Sequence, residues 1–203
     1  MTNWIVGIFS VVVLAATLWQ CRGLRLTARD ICLAGLMCAA TLVLRCILIT
    51  LPTGGHISLG AMLPILLLSL VYDKRVAFLS GWVTGILALL VLPGWQPVHW
   101  AQPFSEHLIC FSALGYASIF GTDRRWKVIA GTAFAIALSV LSHIMAGAAF
   151  FGQYAWEGYG PWAYSILANL SGHGTEGLLT LLLVSVLPVQ QLRRIVGTRR
   201  ERK

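Results

Sequence analysis

Long apolar runs, each closed by a short polar or basic segment, set the layout of this chain. Seven runs stand at approximately 4–20, 28–50, 60–72, 76–92, 104–120, 127–150 and 163–188. A helix needs roughly 17 to 25 apolar residues to cross the hydrocarbon core of a bilayer, and most of the runs reach that length. Lipid offers peptide groups no hydrogen-bond partner, so each run is predicted to be helical. The third, about 13 residues long, is predicted to lie tilted or buried among its neighbours. The expected fold class is therefore an all-α integral membrane protein.

The first run has no basic residue before it and no small-x-small cleavage site, which argues against a removed signal peptide. Leu18-Trp19-Gln20 before Cys21 is also a poor lipoprotein site. Trp4 and Trp19 bracket the run as interfacial anchors do. The expected organisation is an extra N-terminal transmembrane anchor (1–26), a six-helix membrane domain (27–190) and a basic tail (191–203).

Composition agrees with this layout. Of 203 residues, 58% are hydrophobic and 11% charged, whereas about half apolar is ordinary for a soluble domain. The formal charge of +8 raises the question of nucleic acid, and its distribution answers it. Arg22, Arg25 and Arg29 form one cluster, Lys74 and Arg75 a second, and Arg124, Arg125 and Lys127 a third. Arg193, Arg194, Arg199, Arg200, Arg202 and Lys203 form the last. With alternating spans all four fall on one side, while segments 51–59, 93–103 and 152–162 carry no Lys or Arg. This positive-inside pattern predicts a multi-pass protein of the plasma membrane, with its N-terminus outside and its C-terminus cytoplasmic. It offers no contiguous basic face for nucleic acid. The five cysteines lie in or beside apolar runs without a C-x-x-C pair and read as small apolar helix residues. No metal site or cofactor is expected.

Ionisable residues inside spans are costly and mark functional sites by default. Glu106 and His107 lie about one turn inside the outer end of the fifth run. His143, Gly147 and Phe151 share a face of the sixth at i, i+4 and i+8. Tyr164 opens the last run, and Asn169, His173 and Glu176 follow as a polar stripe. Most of these groups share one depth, so three neighbouring helices can bring them to one outward pocket. Glu106 would supply charge for an organic cation, and Phe151 and Tyr164 π faces for a flat ring. Asn169 can match a heterocycle edge with donors and acceptors. A lone membrane Asn or His more often joins helices, and Glu106 has a competing partner in Arg45. Glu176, about 18 Å below Tyr164 at 1.5 Å per residue, is expected to be structural or paired with His173. The loops containing Trp95, Trp100, Trp156 and Trp162 read as an aromatic belt, with a lid over the site as the sharper alternative.

Gly55-His56-Ile57-Ser58-Leu59-Gly60-Ala61-Met62-Leu63-Pro64-Ile65, Gln102-Pro103-Phe104-Ser105-Glu106, His143-x-x-Ala146-Gly147-x-x-Phe150-Phe151-Gly152, Tyr164-Ser165 and Asn169 together resemble the thiamine-specific substrate-binding components of energy-coupling factor transporters. The resemblance covers about residues 27–188. It implies a six-helix subunit that binds thiamine on its outer side. An acid like Glu106 faces the ligand, a histidine like His143 and an aromatic like Phe151 sandwich it, and residues like Tyr164 and Asn169 hydrogen-bond it. His56 and His107 join the expected substrate-binding set. The resemblance also implies a transmembrane coupling protein and two cytoplasmic ATPases as partners.

Three departures stand out. Phe151 occupies a position where tryptophan is typical, His56 one where an aromatic is expected, and the first span is additional. They leave room for a thiamine precursor or another vitamin. On the second span, Ala34-x-x-x-Cys38 and Gly35-x-x-x-Ala39 suit close helix contact, within the chain or with a partner. No G-x-x-x-x-G-K-[ST] is present, so energy must come from another subunit. An intramembrane protease lacks its motifs, since H-E-x-x-H and G-x-S-x-G are absent. A haem-binding electron carrier using two membrane histidines is the remaining alternative of a different class.

Overall fold

The computed structural model describes residues 2–53, 55–91 and 98–197. The expectations for Trp95 and the first part of its loop, and for the basic residues at 199–203, lie outside the described residues. The chain forms a helical bundle with one small hairpin. The helices are α1 (Thr2–Gln20), α2 (Ala28–Arg45), α3 (Leu63–Tyr72) and α4 (Lys74–Val91). Next comes α5, a π turn (Phe104–Ile109), an α turn (Cys110–Ala113) and a 3₁₀ turn (Leu114–Ser118) in succession. The long α6 (Arg125–Phe150), α7 (Pro161–Val186) and α8 (Val189–Val196) complete the order.

By length and composition, α4 and α6 can each cross a membrane, as can the bent pair of α7 and α8; α1 and α3 are shorter apolar helices. Leu178, Leu179, Leu182, Leu183 and Val186 of α7 are all at least half exposed. Such a stripe is a liability in water and an ordinary surface in lipid. The buried centre is Ile65, Leu66 and Leu70 of α3, Phe78 of α4 and Leu114 of α5. Phe78 meets Tyr116 edge-on at 4.6 Å.

At the end carrying the basic clusters, α2 begins with a reciprocal cap. Asp30 N donates to Thr27 Oγ1, and Thr27 N donates to Asp30 Oδ2 at 2.7 Å. The fully buried Asp30 also accepts from Tyr72 Oη at 2.5 Å, and Arg29 lies over the Tyr72 ring.

One expectation is corrected. The second run does not stay helical to residue 50. α2 ends at Arg45, and Leu48–Thr50 (β1) pairs antiparallel with His56–Ser58 (β2), in register Leu48 with Ser58 and Thr50 with His56. Ile47-Leu48-Ile49-Thr50 precedes Pro52, and β-branched residues before a proline favour extended backbone. The fold is therefore predominantly helical rather than purely so. The first residues of the basic tail are helical: α8 bends 73° from α7 after Pro188 and carries Arg193 and Arg194.

Candidate functional site

At the opposite end from the basic clusters, α2, α5, α6 and α7 bring a polar cluster together. Its centre is Arg45, the last residue of α2. Arg45 Nη1 lies 3.2 Å from His173 Nε2, and its charge acts on Glu106, His107, Cys110 and His143 as well. The rings of His143 and His173 lie against each other at a tilt of 34°, with centroids 3.8 Å apart. His143 Nδ1 faces the carbonyl of Ser139 at 3.4 Å, and Ser139 Oγ lies 3.1 Å from Cys110 Sγ. His107, His143 and His173 are all buried.

Glu106 sits in the π turn that opens α5. Its Oε2 accepts from Gln102 Nε2 at 2.6 Å, and Gln102 Oε1 in turn accepts from Val98 N at 2.9 Å. Gln102 is fully buried while Glu106 remains partly exposed. Glu106 is thus aimed by a neighbour one helical turn away and keeps part of its surface accessible. Its sequence-level competitor, Arg45, is engaged with His173 instead.

Asn169 is placed by a close crossing of α6 and α7. Its Nδ2 donates to Ser165 O at 2.9 Å and to His143 O at 3.4 Å, and Ser165 Oγ donates to Ile144 O at 2.6 Å. The crossing requires Gly147, where an added Cβ would lie 2.3 Å from Ser165 Oγ and 3.1 Å from Asn169 Nδ2. Asn169 is therefore fixed against the backbone beside His143. The next turn of α7, Leu170–Gly174, is a π turn that carries His173. Such turns re-aim side chains and are frequent at functional sites.

The aromatic residues form a separate rim. Phe151 closes α6 and faces Tyr154 with ring centroids 6.1 Å apart. Tyr164 meets Trp156 edge-on at 5.2 Å, and Trp156 meets Tyr159 at 5.5 Å. His56 is exposed on the hairpin, its Nδ1 3.2 Å from Thr50 Oγ1. The hairpin seats on the α7 π turn, where Thr53 Oγ1 and Ser171 Oγ stand 2.7 Å apart. Close approach there leaves no room for side chains, since a Cβ on Gly172 would lie 2.7 Å from His56 O.

The structure thus brings Asn169 to His143, His143 to His173 and His173 to Arg45. It holds Glu106 on Gln102 with His107 buried beside it, pairs Phe151 and Tyr164 with other aromatic rings, and leaves His56 exposed on the hairpin. Glu176 does not pair with His173; its Oε2 accepts from Ser58 N at 3.2 Å and anchors β2. Residue spacing alone had not assigned roles to Gln102, Cys110 or the Arg45–His173 contact. The i, i+4 spacing of Gln102 and Glu106 was the available signal for the first; contacts between distant helices leave no such signal.

Cys110, His143 and His173 each bring one donor atom within 4.8 Å of the others. Metal ligands must converge on a point about 2 Å from each donor. Here the Arg45 guanidinium already lies against Nε2 of His173, 3.2 Å away, where a cation would have to sit. The trio is better suited to hydrogen bonding than to holding a cation.

The family model described as Thiamine transporter protein (Thia_YuaJ) matches residues 31–196, from α2 through α8. The chain belongs to this family. The family match includes every residue of the candidate site and begins after α1. Among relatives, the chain is 27% identical over 151 residues to "Thiamine transporter ThiT" of Bacillus subtilis, covering 66% of this chain and 77% of that protein. It is 27% identical over 140 residues to the protein of the same name from Lacticaseibacillus paracasei, covering 62% and 70%. Its fold is similar to that of ThiT from Listeria monocytogenes, with a TM-score of 0.70, 21% identity, and coverage of 80% of this chain and 93% of the other. The family's transport role is not an enzymatic one.

Proposed function

We propose that this chain is the substrate-capturing subunit of an energy-coupling factor transporter and binds thiamine at the end of the bundle opposite the basic clusters. The observation that carries the reading is the family match across residues 31–196, which takes in all the proposed ligand-facing residues.

Glu106 supplies the counter-charge to the thiazolium. His143 and Phe151 face the two sides of the flat ligand. Tyr164 and Asn169 hydrogen-bond it, with His107 behind the carboxylate and His56 on the hairpin at the mouth. The Trp156–Tyr164 pair closes the aromatic side.

In this reading, residues 27–190 are a six-helix capture domain with its loading side outward and its C-terminus cytoplasmic, and α1 is an additional anchor with its N-terminus outside. Coupling protein and ATPases are separate chains. The two small-residue patterns of α2 divide accordingly. Cys38 is buried, with its Sγ 3.2 Å from Ser80 O of α4, whereas Gly35 and Ala39 are exposed and a Cβ on Gly35 would touch nothing within 4 Å. The Gly35–Ala39 face is open to a partner helix.

A thermal-shift series on the purified chain with thiamine, its phosphates, its pyrimidine precursor and riboflavin tests the reading. Thiamine is expected to give the largest stabilisation at equal concentration, by linkage of binding to folding. A larger shift with the precursor or with riboflavin would reassign the ligand.

A further inference from the structure

The end of the bundle with the basic clusters contains a cavity of about 570 Å³ that no aliphatic side chain lines. In a chain that is 58% hydrophobic, such a lining marks a place kept for a polar occupant. The cavity between α1 and the outer rim shows the contrast, with Trp4, Val6, Val11 and Leu14 on its wall.

Lys74 and Arg75 of α4 and Arg193 of α8 supply three cations, and Asp73 one carboxylate, which leaves two positive charges. Asp73 is turned to its own helix, accepting from Arg75 N at 2.7 Å with Arg75 Nε 3.6 Å away. Arg193 is held at the cavity by donating Nη1 to Leu70 O at 3.0 Å, which the 73° bend between α7 and α8 makes possible. Lys74 has neither a hydrogen bond nor an ion pair with the described residues. Gln20, Ser69, Ser118 and Thr122 add neutral polar groups, and Tyr72 and Gly121 complete the wall. Ser118 and Ser69 share a hydroxyl contact at 3.0 Å. Trp19, adjacent to Gln20, is 77% exposed and Trp126 is 58% exposed, the pattern of interfacial anchors at this end of the bundle.

We propose that this cavity binds a phosphate group, which matches two positive charges and a set of donors without an aliphatic wall. The phosphate can come from an anionic phospholipid of the cytoplasmic leaflet, drawn by the surface attraction of basic residues, or from a free phosphate in solution.

The test uses the purified full-length chain in detergent, with thermal unfolding as the readout. Phosphatidylglycerol and phosphatidylcholine are added in mixed micelles, and inorganic phosphate in a separate arm. Phosphatidylglycerol is expected to raise Tm while phosphatidylcholine does not. Lys74→Gln should shift the concentration response by about fivefold and Lys74→Arg should restore it. Gln20→Leu, which puts an aliphatic wall into the cavity, should weaken the response in the same direction and serves if Lys74→Gln does not fold. Stabilisation by phosphatidylglycerol alone identifies the lipid headgroup as the source, and stabilisation by both identifies the phosphate group itself. The proposal is overturned if neither ligand stabilises the chain, or if both Lys74→Gln and Gln20→Leu respond as the wild type does.

Discussion

Arg45 Nη1 and His173 Nε2 stand 3.2 Å apart. A guanidinium only donates, so the ring nitrogen accepts and His173 carries its proton on Nδ1. The contact ties the end of α2 to the π turn of α7, across the ground on which Glu106, His143 and Asn169 meet. Replacing Arg45 with methionine leaves a buried imidazole nitrogen without its donor. Loss of about 1–3 kcal/mol of stability is expected, because an unsatisfied buried polar group costs that much. Chemical denaturation of the ligand-free protein measures it, and an unchanged midpoint contradicts the role given to this contact.

Gly147 governs the position of Asn169. A Cβ there meets Ser165 Oγ and Asn169 Nδ2, so Gly147→Val must push α6 and α7 apart. Overpacking of this kind costs about 1–3 kcal/mol. Thiamine affinity is expected to fall further than with Asn169→Ala alone, since His143 moves with the same helix. Equilibrium binding of labelled thiamine to both variants checks this; equal affinities would mean that the crossing does not position the site.

The open Gly35–Ala39 face separates capture from delivery. Gly35→Leu is expected to leave thiamine binding intact and to abolish uptake when the chain is co-expressed with its coupling partners. The control is Cys38→Leu, which points into α4 and should lower stability instead. Uptake at wild-type rates in the Gly35→Leu variant would remove the face from the coupling account.

Much of the fold could be read from the apolar runs. The sixth run, expected at 127–150, is Arg125–Phe150, and the fourth, expected at 76–92, is Lys74–Val91. Such long runs resist misreading because nothing but a helix satisfies their backbone in lipid. The second run was drawn too long because Ile47-Leu48-Ile49-Thr50 is as apolar as the helix before it. Period alone does not separate a short strand from a helix end. The π turns at Phe104–Ile109 and Leu170–Gly174 were also not legible, since one extra residue in a turn leaves composition unchanged.

The candidate site divides in the same way. His143, Gly147 and Asn169 stood out by helical spacing, and the structure sets them at one crossing. Arg45 was weighed as a partner for Glu106 because the two share a depth. Depth, however, does not give azimuth, and the guanidinium turns to His173. Glu176 was expected to be structural or paired with His173, and it takes the structural role, with its carboxylate reaching Ser58 N of the hairpin. That strand could not be anticipated from an apolar run read as helix.

The account rests on capture of a cationic vitamin by Glu106. Isothermal titration of thiamine into the full-length protein and into Glu106→Gln tests this most directly. The wild type is expected to bind with measurable heat at micromolar ligand. The amide variant should be about 10- to 150-fold weaker, corresponding to the roughly 1.5–3 kcal/mol of a charge-assisted contact. No heat from the wild type at high micromolar thiamine, or equal affinities in the two proteins, would contradict it.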